Sequence, residues 1–351
     1  MEIDDITLDE DTVYFIAEAG VNHNGSLETA KKLIDAAATS GADAVKFQTF
    51  SADRLVTKDA SKVDYQSETT GDGSQYEMLK RYELDRKAHE QLIEHCNERD
   101  ITFLSTPFDS ESADMLADLG VSAIKIGSGE LDNHPLLEHV AGLGLPLIVS
   151  TGMSTMDEVH AAQDVIRSVD HKLDVIFLHC TSAYPCSLDD VNFRAMRTMI
   201  DELDEPVGYS DHTTLPETPA FAVAAGAVLV EKHFTLDISL AGPDQETSLE
   251  PAELTRSVAL ARDAFRSRGC SVKKVTEAER VNRSAVRKSI HAATDLREGA
   301  ILTEANTTII RPADGLSPTV YESILGSKIT EDLSEGDPVL ESVLNSDVGS
   351  G

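Results

Sequence analysis

Eight short apolar runs alternate with amphipathic stretches over the first two thirds of the chain: Phe15–Glu18, Ala44–Gln48, Thr102–Thr106, Ala123–Ser128, Leu147–Thr151, Val175–His179, Val207–His212 and Leu229–His233. Short apolar runs separated by helical patterns read as βαβ units with a parallel sheet. Eight units are what a closed barrel needs, and the predicted fold class is α/β, a (β/α)8 TIM barrel. Each run ends in a polar side chain that a strand buried on both faces should not carry. In a TIM barrel the carboxyl ends of the strands form the active-site face, so these polar ends predict an enzyme.

The chain has 351 residues, and a barrel of roughly 250 residues leaves room for one small domain. The reading places the barrel at 1–268, a polar, basic linker at 269–287 and a mostly β module at 288–351. Within that module Asp295-Leu-Arg-Glu-Gly299 is echoed by Asp332-Leu-Ser-Glu-Gly336, which suggests two similar hairpin-like turns. A polar insertion, 51–85, carries Asp64-Tyr-Gln66 and Ser74-Gln-Tyr-Glu-Met-Leu-Lys80. Loops of this length in compact domains tend to be functional, and a substrate lid is expected.

The acidic N-terminus lacks the basic flank and apolar stretch of a signal peptide. The longest apolar run, Ala220–Val230 with its 11 residues, is far short of the roughly 20 that cross a bilayer. A cytoplasmic protein is expected, with its four cysteines, none in a C-x-x-C pair, reduced and structural. The formal charge of −32 argues against nucleic acid and anionic membranes as partners. Acidic residues are spread along the chain, as on a solvated surface. Molar salt cuts the Debye length to about 3 Å and screens such self-repulsion, so a salt-loving host is expected.

Lys46 and Lys125 sit inside apolar strands, where an unpaired ammonium is costly. Each is either half of a structural ion pair, with a carboxylate such as Glu18, or a receptor for a phosphate or carboxylate. Alternation puts Gln48 on the face of Lys46. Ser105, Thr106, Ser128, Ser150 and Ser210 add hydroxyls at the strand ends, and the Gly127–Glu130 turn offers backbone N–H groups. Together they outline a site for a small anion. His212 and His233 end the seventh and eighth runs, adjacent in a barrel, and are either metal ligands or hydrogen-bonded core histidines; Glu231 shares a face with His233 and could complete a metal set. His179 reads as structural. Glu18 and Glu130 are candidates for acid or base work. Asn22-His-Asn-Gly25 reads as a turn, with Ser26 as a helix cap.

Ten segments taken in order make a resemblance specific. They are Ala17-Glu-Ala-Gly-Val-Asn-His-Asn-Gly25, Val45-Lys-Phe-Gln-Thr49, Ser74-Gln-Tyr-Glu-Met-Leu79, Phe103-Leu-Ser-Thr-Pro-Phe108, Lys125-Ile-Gly-Ser-Gly-Glu130, Ser150-Thr-Gly-Met153, Leu178-His-Cys-Thr181, Tyr209-Ser-Asp-His212, Glu231-Lys-His-Phe-Thr235 and Gly242-Pro-Asp244. The set resembles the sialic acid synthase family, and the tail, with Ile310-Arg-Pro-Ala-Asp-Gly315, is similar to the antifreeze-like SAF domain of those enzymes. The resemblance implies condensation of phosphoenolpyruvate with an N-acylated amino sugar, N-acetylmannosamine being the first expectation, to give a nine-carbon 2-keto acid and phosphate. The alternative is a deoxy diacetamido sugar, as in legionaminate and pseudaminate synthases. A non-enzymatic sugar-binding protein is the contrasting class, disfavoured by the intact Lys, Ser and His set.

By resemblance, Lys46, Thr106, Lys125, Ser128, Ser150 and Ser210 hold phosphoenolpyruvate with Gln48 nearby, and His212 and His233 bind a divalent metal. Manganese is favoured, with magnesium, zinc or cobalt as alternatives. Glu18 handles a water proton, while Glu130, Tyr184, Asp244 and Arg311 face the sugar. Arg311 comes from the SAF domain of a partner subunit, which implies a domain-swapped homodimer. Thr70-Gly-Asp-Gly73 and Val286-Arg287 depart from the family pattern around the sugar.

Overall fold

The structure, a computed structural model, describes residues 1–345 except 5, 10, 63–66 and 68; Asp64-Tyr-Gln66 of the insertion therefore lies outside the described residues. The chain forms two compact units, Met1–Gly269 and Cys270–Gly351.

In the first unit a short antiparallel hairpin, β1 (Glu2–Ile3) and β2 (Ile6–Thr7), precedes eight parallel strands. They are β3 (Tyr14–Gly20), β4 (Ala44–Thr49), β5 (Thr102–Pro107), β6 (Ile124–Ile126), β7 (Leu147–Ser150), β8 (Val175–Cys180), β9 (Val207–Asp211) and β10 (Leu229–His233). Their order is β5-β4-β3-β10-β9-β8-β7-β6, so the first and last barrel strands pair, and β5 lies beside β6. This is the predicted barrel, nearly closed. Some polar ends peel away from the ladder: the run expected at Ala123–Ser128 is strand only to Ile126, and Ser128–Glu130 turns into a 3₁₀ helix.

Strand alternation divides the apolar residues between two cores. Phe15, Ala17, Val45, Phe47, Phe103, Val149, Phe177, Tyr209 and Val230 face outward and pack under helix residues such as Leu33, Leu92, Leu137, Val159 and Leu254. Tyr14, Ile16, Ala44, Leu104, Ile148, Ile176 and Leu229 face inward and form a separate plug, sealed by Ile3 and Leu8 of the N-terminal hairpin segment. Fully burying each such aliphatic side chain stabilises by about 1.5–3 kcal/mol. The plug fills only the N-terminal half of the lumen. The next inward positions along the same strands are Glu18, Lys46, Thr106, Lys125, Ser150, Cys180, Ser210 and Glu231, all buried.

Capping sets where each connection re-enters a helix. Ser26, Asp85, Asp109, Asn133 and Thr155 each accept the backbone N–H of the third helical residue, in helices Leu27–Thr39, Arg86–Glu98, Ser110–Asp118, His134–Gly142 and Met156–Val169. The Ser26 cap is as expected. Helices of the insertion include Ala52–Leu55 and Gln75–Lys80, the latter opened by a Ser74/Glu77 capping box. Met78 and Tyr82 anchor this segment through a small apolar cluster with Val21 and Phe50.

In the second unit helix Glu277–Val286 leads into β11 (Ser289–Ala292), antiparallel to β12 (Thr307–Ile310). Its core contains Ile290, Leu296, Leu302, Ile324, Ile329, Leu333 and Val339. The two echoed turns are reciprocal partners. Leu296 and Leu333 exchange backbone hydrogen bonds of 2.7 and 2.9 Å. The Asp332 carboxylate accepts from the Glu298 N–H at 2.8 Å, and Asp295 accepts from the Glu335 N–H at 2.9 Å. Among the described residues no helix is long and apolar enough to cross a membrane.

Candidate active site

The inward polar residues meet in one cavity of about 490 Å³ at the carboxyl ends of the strands. Thirteen of the fourteen residues that the resemblance assigns to the site line it: Glu18, Lys46, Gln48, Thr106, Lys125, Ser128, Glu130, Ser150, Tyr184, Ser210, His212, His233 and Asp244. Arg311, the fourteenth, belongs to the second unit, where it follows β12 and its Nε donates to the Val286 carbonyl at 2.7 Å. A larger hollow of about 770 Å³ lies over the outside of the barrel beside Arg54, Lys80 and Arg86. These three cations are engaged by Asp53, Glu83, Asp109 and Glu90, so volume alone does not locate the chemistry.

The base of the cavity is a buried four-charge cluster. Lys46 Nζ lies 2.7 Å from Glu18 and 3.7 Å from Glu231, and Lys125 Nζ lies 4.0 Å from the second oxygen of Glu231. Lys46 also donates to Thr106 Oγ1 at 2.9 Å, and Lys125 donates to Ser150 Oγ at 2.6 Å and to the Ile126 carbonyl at 2.9 Å. The Ser210 hydroxyl donates to Glu231 at 3.1 Å. Both readings of the lysines thus meet at one place: they are ion-paired, and their ammonium groups line the cavity.

Placing Glu231 here corrects the expectation that it could complete a metal set with His233. Its inward position lies one step deeper than His233, level with the lysines; its carboxylate faces two ammonium groups at 3.7 and 4.0 Å and accepts from the Ser210 hydroxyl, and among the described residues it joins no group of three metal-ligating side chains. Burial alone would raise its pKa, but Lys125 and Lys46 outweigh burial and hold it low. Glu18 has one lysine instead of two. Burial dominates there, and Glu231 adds to it, so the Glu18 carboxyl is pushed up to about 7. With Glu18 protonated the cluster carries a net positive charge, suited to an anion.

Gly20 shows why Glu18 has room to reach the cavity. It ends β3 at a register shift, with φ +51, and a Cβ there would lie 3.2 Å from Glu18 Oε1 and 3.5 Å from both Asp244 Oδ2 and Gln48 Nε2. Burial pushes Asp244 up to about 6. Gly152 serves the opposite rim. Its N–H donates to Ser128 Oγ at 3.0 Å, and a Cβ would stand 2.8 Å from that oxygen while colliding with Ser182 Oγ. Glu130, raised by burial, accepts from Asn133 at 2.7 Å.

His212 and His233 stand side by side, ring centroids 5.4 Å apart, with Tyr184 against both at 4.2 and 6.0 Å. His212 Nδ1 donates to the Thr181 carbonyl at 2.8 Å, which leaves the lone pair on Nε2. His233 Nδ1 is buried without a hydrogen-bond partner, and burial holds this imidazole neutral, its pKa well below the usual value. Two adjacent imidazoles, His233 orphaned and held neutral by burial and His212 oriented by a backbone carbonyl, fit a divalent metal. Among the described residues no group of three His, Cys, Asp or Glu side chains gathers around a metal position, so these donors would leave positions for water or substrate.

Two strand-end residues face away from the cavity. Ser105 is on the outward face, where its hydroxyl meets Thr49 Oγ1 at 2.7 Å, itself 2.8 Å from His89 Nε2; it adds no hydroxyl to the anion site. His179 Nε2 lies 2.7 Å from the Val191 carbonyl, the structural role expected. Other lining residues escaped sequence reading. Cys180 follows Leu178 on the inward face of β8, a position alternation could have flagged. Leu55, Val56, Met78 and Leu79 come from the insertion and, with Val21 and Phe108, form an apolar wall near the cavity mouth. No local pattern announces that wall.

Comparison with known proteins agrees with this geometry. Residues 33–273 match the model of the NeuB family, and residues 287–344 match the SAF domain. The chain is 46% identical over 333 residues to the N,N'-diacetyllegionaminic acid synthase of Legionella pneumophila, covering 94% of each chain. It is 45% identical to the enzyme of that name from Campylobacter jejuni, covering 93% of this chain and 98% of that one. The crystal structure of the N-acetylneuraminic acid synthetase from Leptospira borgpetersenii in complex with citrate is 33% identical, with a TM-score of 0.72 over 80% of this chain and 94% of that one.

Proposed function

The chain belongs to the NeuB family and ends in a SAF domain, and on that premise we propose that it condenses phosphoenolpyruvate with a deoxy diacetamido sugar, forming N,N'-diacetyllegionaminate and phosphate. The observation that carries the chemistry is the buried pair Lys46 and Lys125, ringed by Thr106, Ser128, Ser150 and Ser210 around one cavity. Of the two acceptors expected from the sequence, the identities of 46% and 45% favour the deoxy diacetamido sugar over N-acetylmannosamine. The apolar wall supports the same choice, because a 6-deoxy sugar with two acetamido groups presents three methyl groups where N-acetylmannosamine presents one.

In this reading Lys46, Lys125 and the four hydroxyls hold the carboxylate and phosphate of phosphoenolpyruvate, with Gln48 nearby. The enol methylene then points toward the mouth, where the acceptor lies between the apolar wall, Glu130, Tyr184 and Asp244. Carbon–carbon bond formation places positive charge at the former enol carbon. Water adds there, and the tetrahedral centre expels phosphate through C–O cleavage. Glu18, with a pKa of about 7 that leaves both its forms populated near neutrality, handles the proton of that water, accepting it in the ionised form. His212 and His233 would hold a divalent metal, manganese ahead of magnesium, zinc or cobalt, which supplies Lewis-acid polarisation of the acceptor carbonyl when bound.

Arg311 reaches the sugar from the SAF domain of a partner, making a domain-swapped homodimer the working unit, in a cytoplasm rich in salt. The domain limits proposed with this reading are 1–268 for the barrel, 269–287 for the linker and 288–351 for the SAF domain. Purified protein given phosphoenolpyruvate, manganese and each sugar separately tests the reading: phosphate release faster with the deoxy diacetamido sugar supports it, and preference for N-acetylmannosamine returns the chain to the sialic acid branch.

A further inference from the structure

The two cavity histidines each follow a residue on the opposite face of the barrel wall: Asp211 precedes His212, and Lys232 precedes His233. Asp211 and Lys232 are cross-strand partners of β9 and β10. Their side chains form an ion pair of 2.6 Å, and both are 0% exposed. Lys232 also donates to the Thr213 carbonyl and to its hydroxyl, the latter at 3.3 Å. Asp211 accepts from the Thr213 N–H at 2.9 Å and from the Tyr209 hydroxyl at 3.2 Å. Thr213 is tied in turn to Thr218 at 3.0 Å. His212 is therefore flanked on both sides by residues clamped to the ammonium group that immediately precedes His233.

Fold stability is a weak reason for such a pair. Desolvating two charges offsets much of their attraction, and apolar residues of similar volume commonly serve as well or better. The surrounding outward face is apolar, with Tyr209, Val223 and Val230 in the same core, so ordinary packing was available. The pair does what packing cannot: directional hydrogen bonds set the register of the β9 turn against the end of β10. We infer that Asp211 and Lys232 are positioning residues that hold the His212 and His233 imidazoles at the separation a divalent cation requires. The inference rests on the reading of those histidines as metal ligands.

The test is calorimetric binding of manganese to the full chain without substrate, alongside KM for phosphoenolpyruvate. The variants are Asp211→Asn/Lys232→Met, which removes both charges but keeps an acceptor for Thr213, and Thr213→Val, which removes one hydroxyl and keeps the ion pair. Second-sphere changes at metal sites typically cost about 10- to 100-fold in affinity. The double variant should bind manganese at least about tenfold more weakly, Thr213→Val more weakly by a smaller factor, and KM for phosphoenolpyruvate should stay within about twofold of the parent because the lysine cluster is untouched. Should the double variant not fold, Thr213→Val decides. Folded variants that bind manganese as tightly as the parent overturn the inference while leaving the metal reading intact, provided His212→Ala/His233→Ala has lost the ion. A parent chain whose manganese binding survives that histidine double variant overturns the metal reading and this inference together.

Discussion

Glu18 offers a quantitative test of the buried charge cluster. Its carboxyl titrates at about 7 in the folded protein against an ordinary 4.5, with burial the main cause. A folded-state pKa above the unfolded value means that the native protein binds the proton more tightly. The stabilisation from that proton is complete below pH 4.5 and is lost as pH rises through about 7. At about 1.4 kcal/mol per pH unit the loss amounts to about 3 kcal/mol. Glu18→Gln resembles the protonated form and cannot titrate, so its stability lacks this component. Urea unfolding of the barrel, followed by tyrosine fluorescence between pH 4.5 and 8, should show the parent losing about 3 kcal/mol more than Glu18→Gln over that span. Parallel curves for the two proteins would refute the assignment of a proton to buried Glu18, and with it the net positive charge that awaits the substrate.

Leu79→Asn should reduce the ratio of kcat/KM for the deoxy diacetamido sugar over that for N-acetylmannosamine by about tenfold, the discrimination expected for methyl-sized contacts, without altering KM for phosphoenolpyruvate; an unchanged ratio would remove the apolar wall from acceptor choice. The melting temperature should rise between dilute buffer and molar salt, as screening relieves the repulsion of a chain with charge −32; a flat response would count against a salt-loving host. If the site is shared between subunits, co-refolding Arg311→Ala with Lys125→Met, each inactive alone, should restore up to about a quarter of parental turnover through mixed dimers, and no recovery would place Arg311 in its own subunit's site or outside the chemistry.

The barrel was legible because its signal is repeated and local: strand alternation separates Phe15 and Ala17 from Ile16 and Glu18 without any knowledge of partners. The same alternation carries the site, since Lys46, Lys125 and Ser150 are each the inward residue beyond an apolar plug position, and Ser210 and His233 keep the inward parity of their strands. Two classes of residue resisted this reading. Ser105 has the composition of a site residue, but its parity faces outward; stricter use of alternation against Leu104 and Thr106 would have excluded it. Glu231 has the right parity, yet its depth places it with the lysines, and depth depends on strand stagger that one strand cannot reveal. The apolar wall was legible only as a segment: insertion 51–85 was expected to cover the substrate, but which of its residues face the cavity, Leu55, Met78 and Leu79 among them, is set by how the insertion folds. The Asp211–Lys232 pair has no local signature, because each is one charged residue beside a histidine and only the pairing of β9 with β10 joins them.

The most direct test of the account is phosphate release from phosphoenolpyruvate by the purified protein in high salt with manganese, run with each acceptor and repeated after exhaustive chelation. The account predicts turnover that depends on the acceptor, is fastest with the deoxy diacetamido sugar and disappears on chelation. No acceptor-dependent phosphate release from either sugar would contradict it.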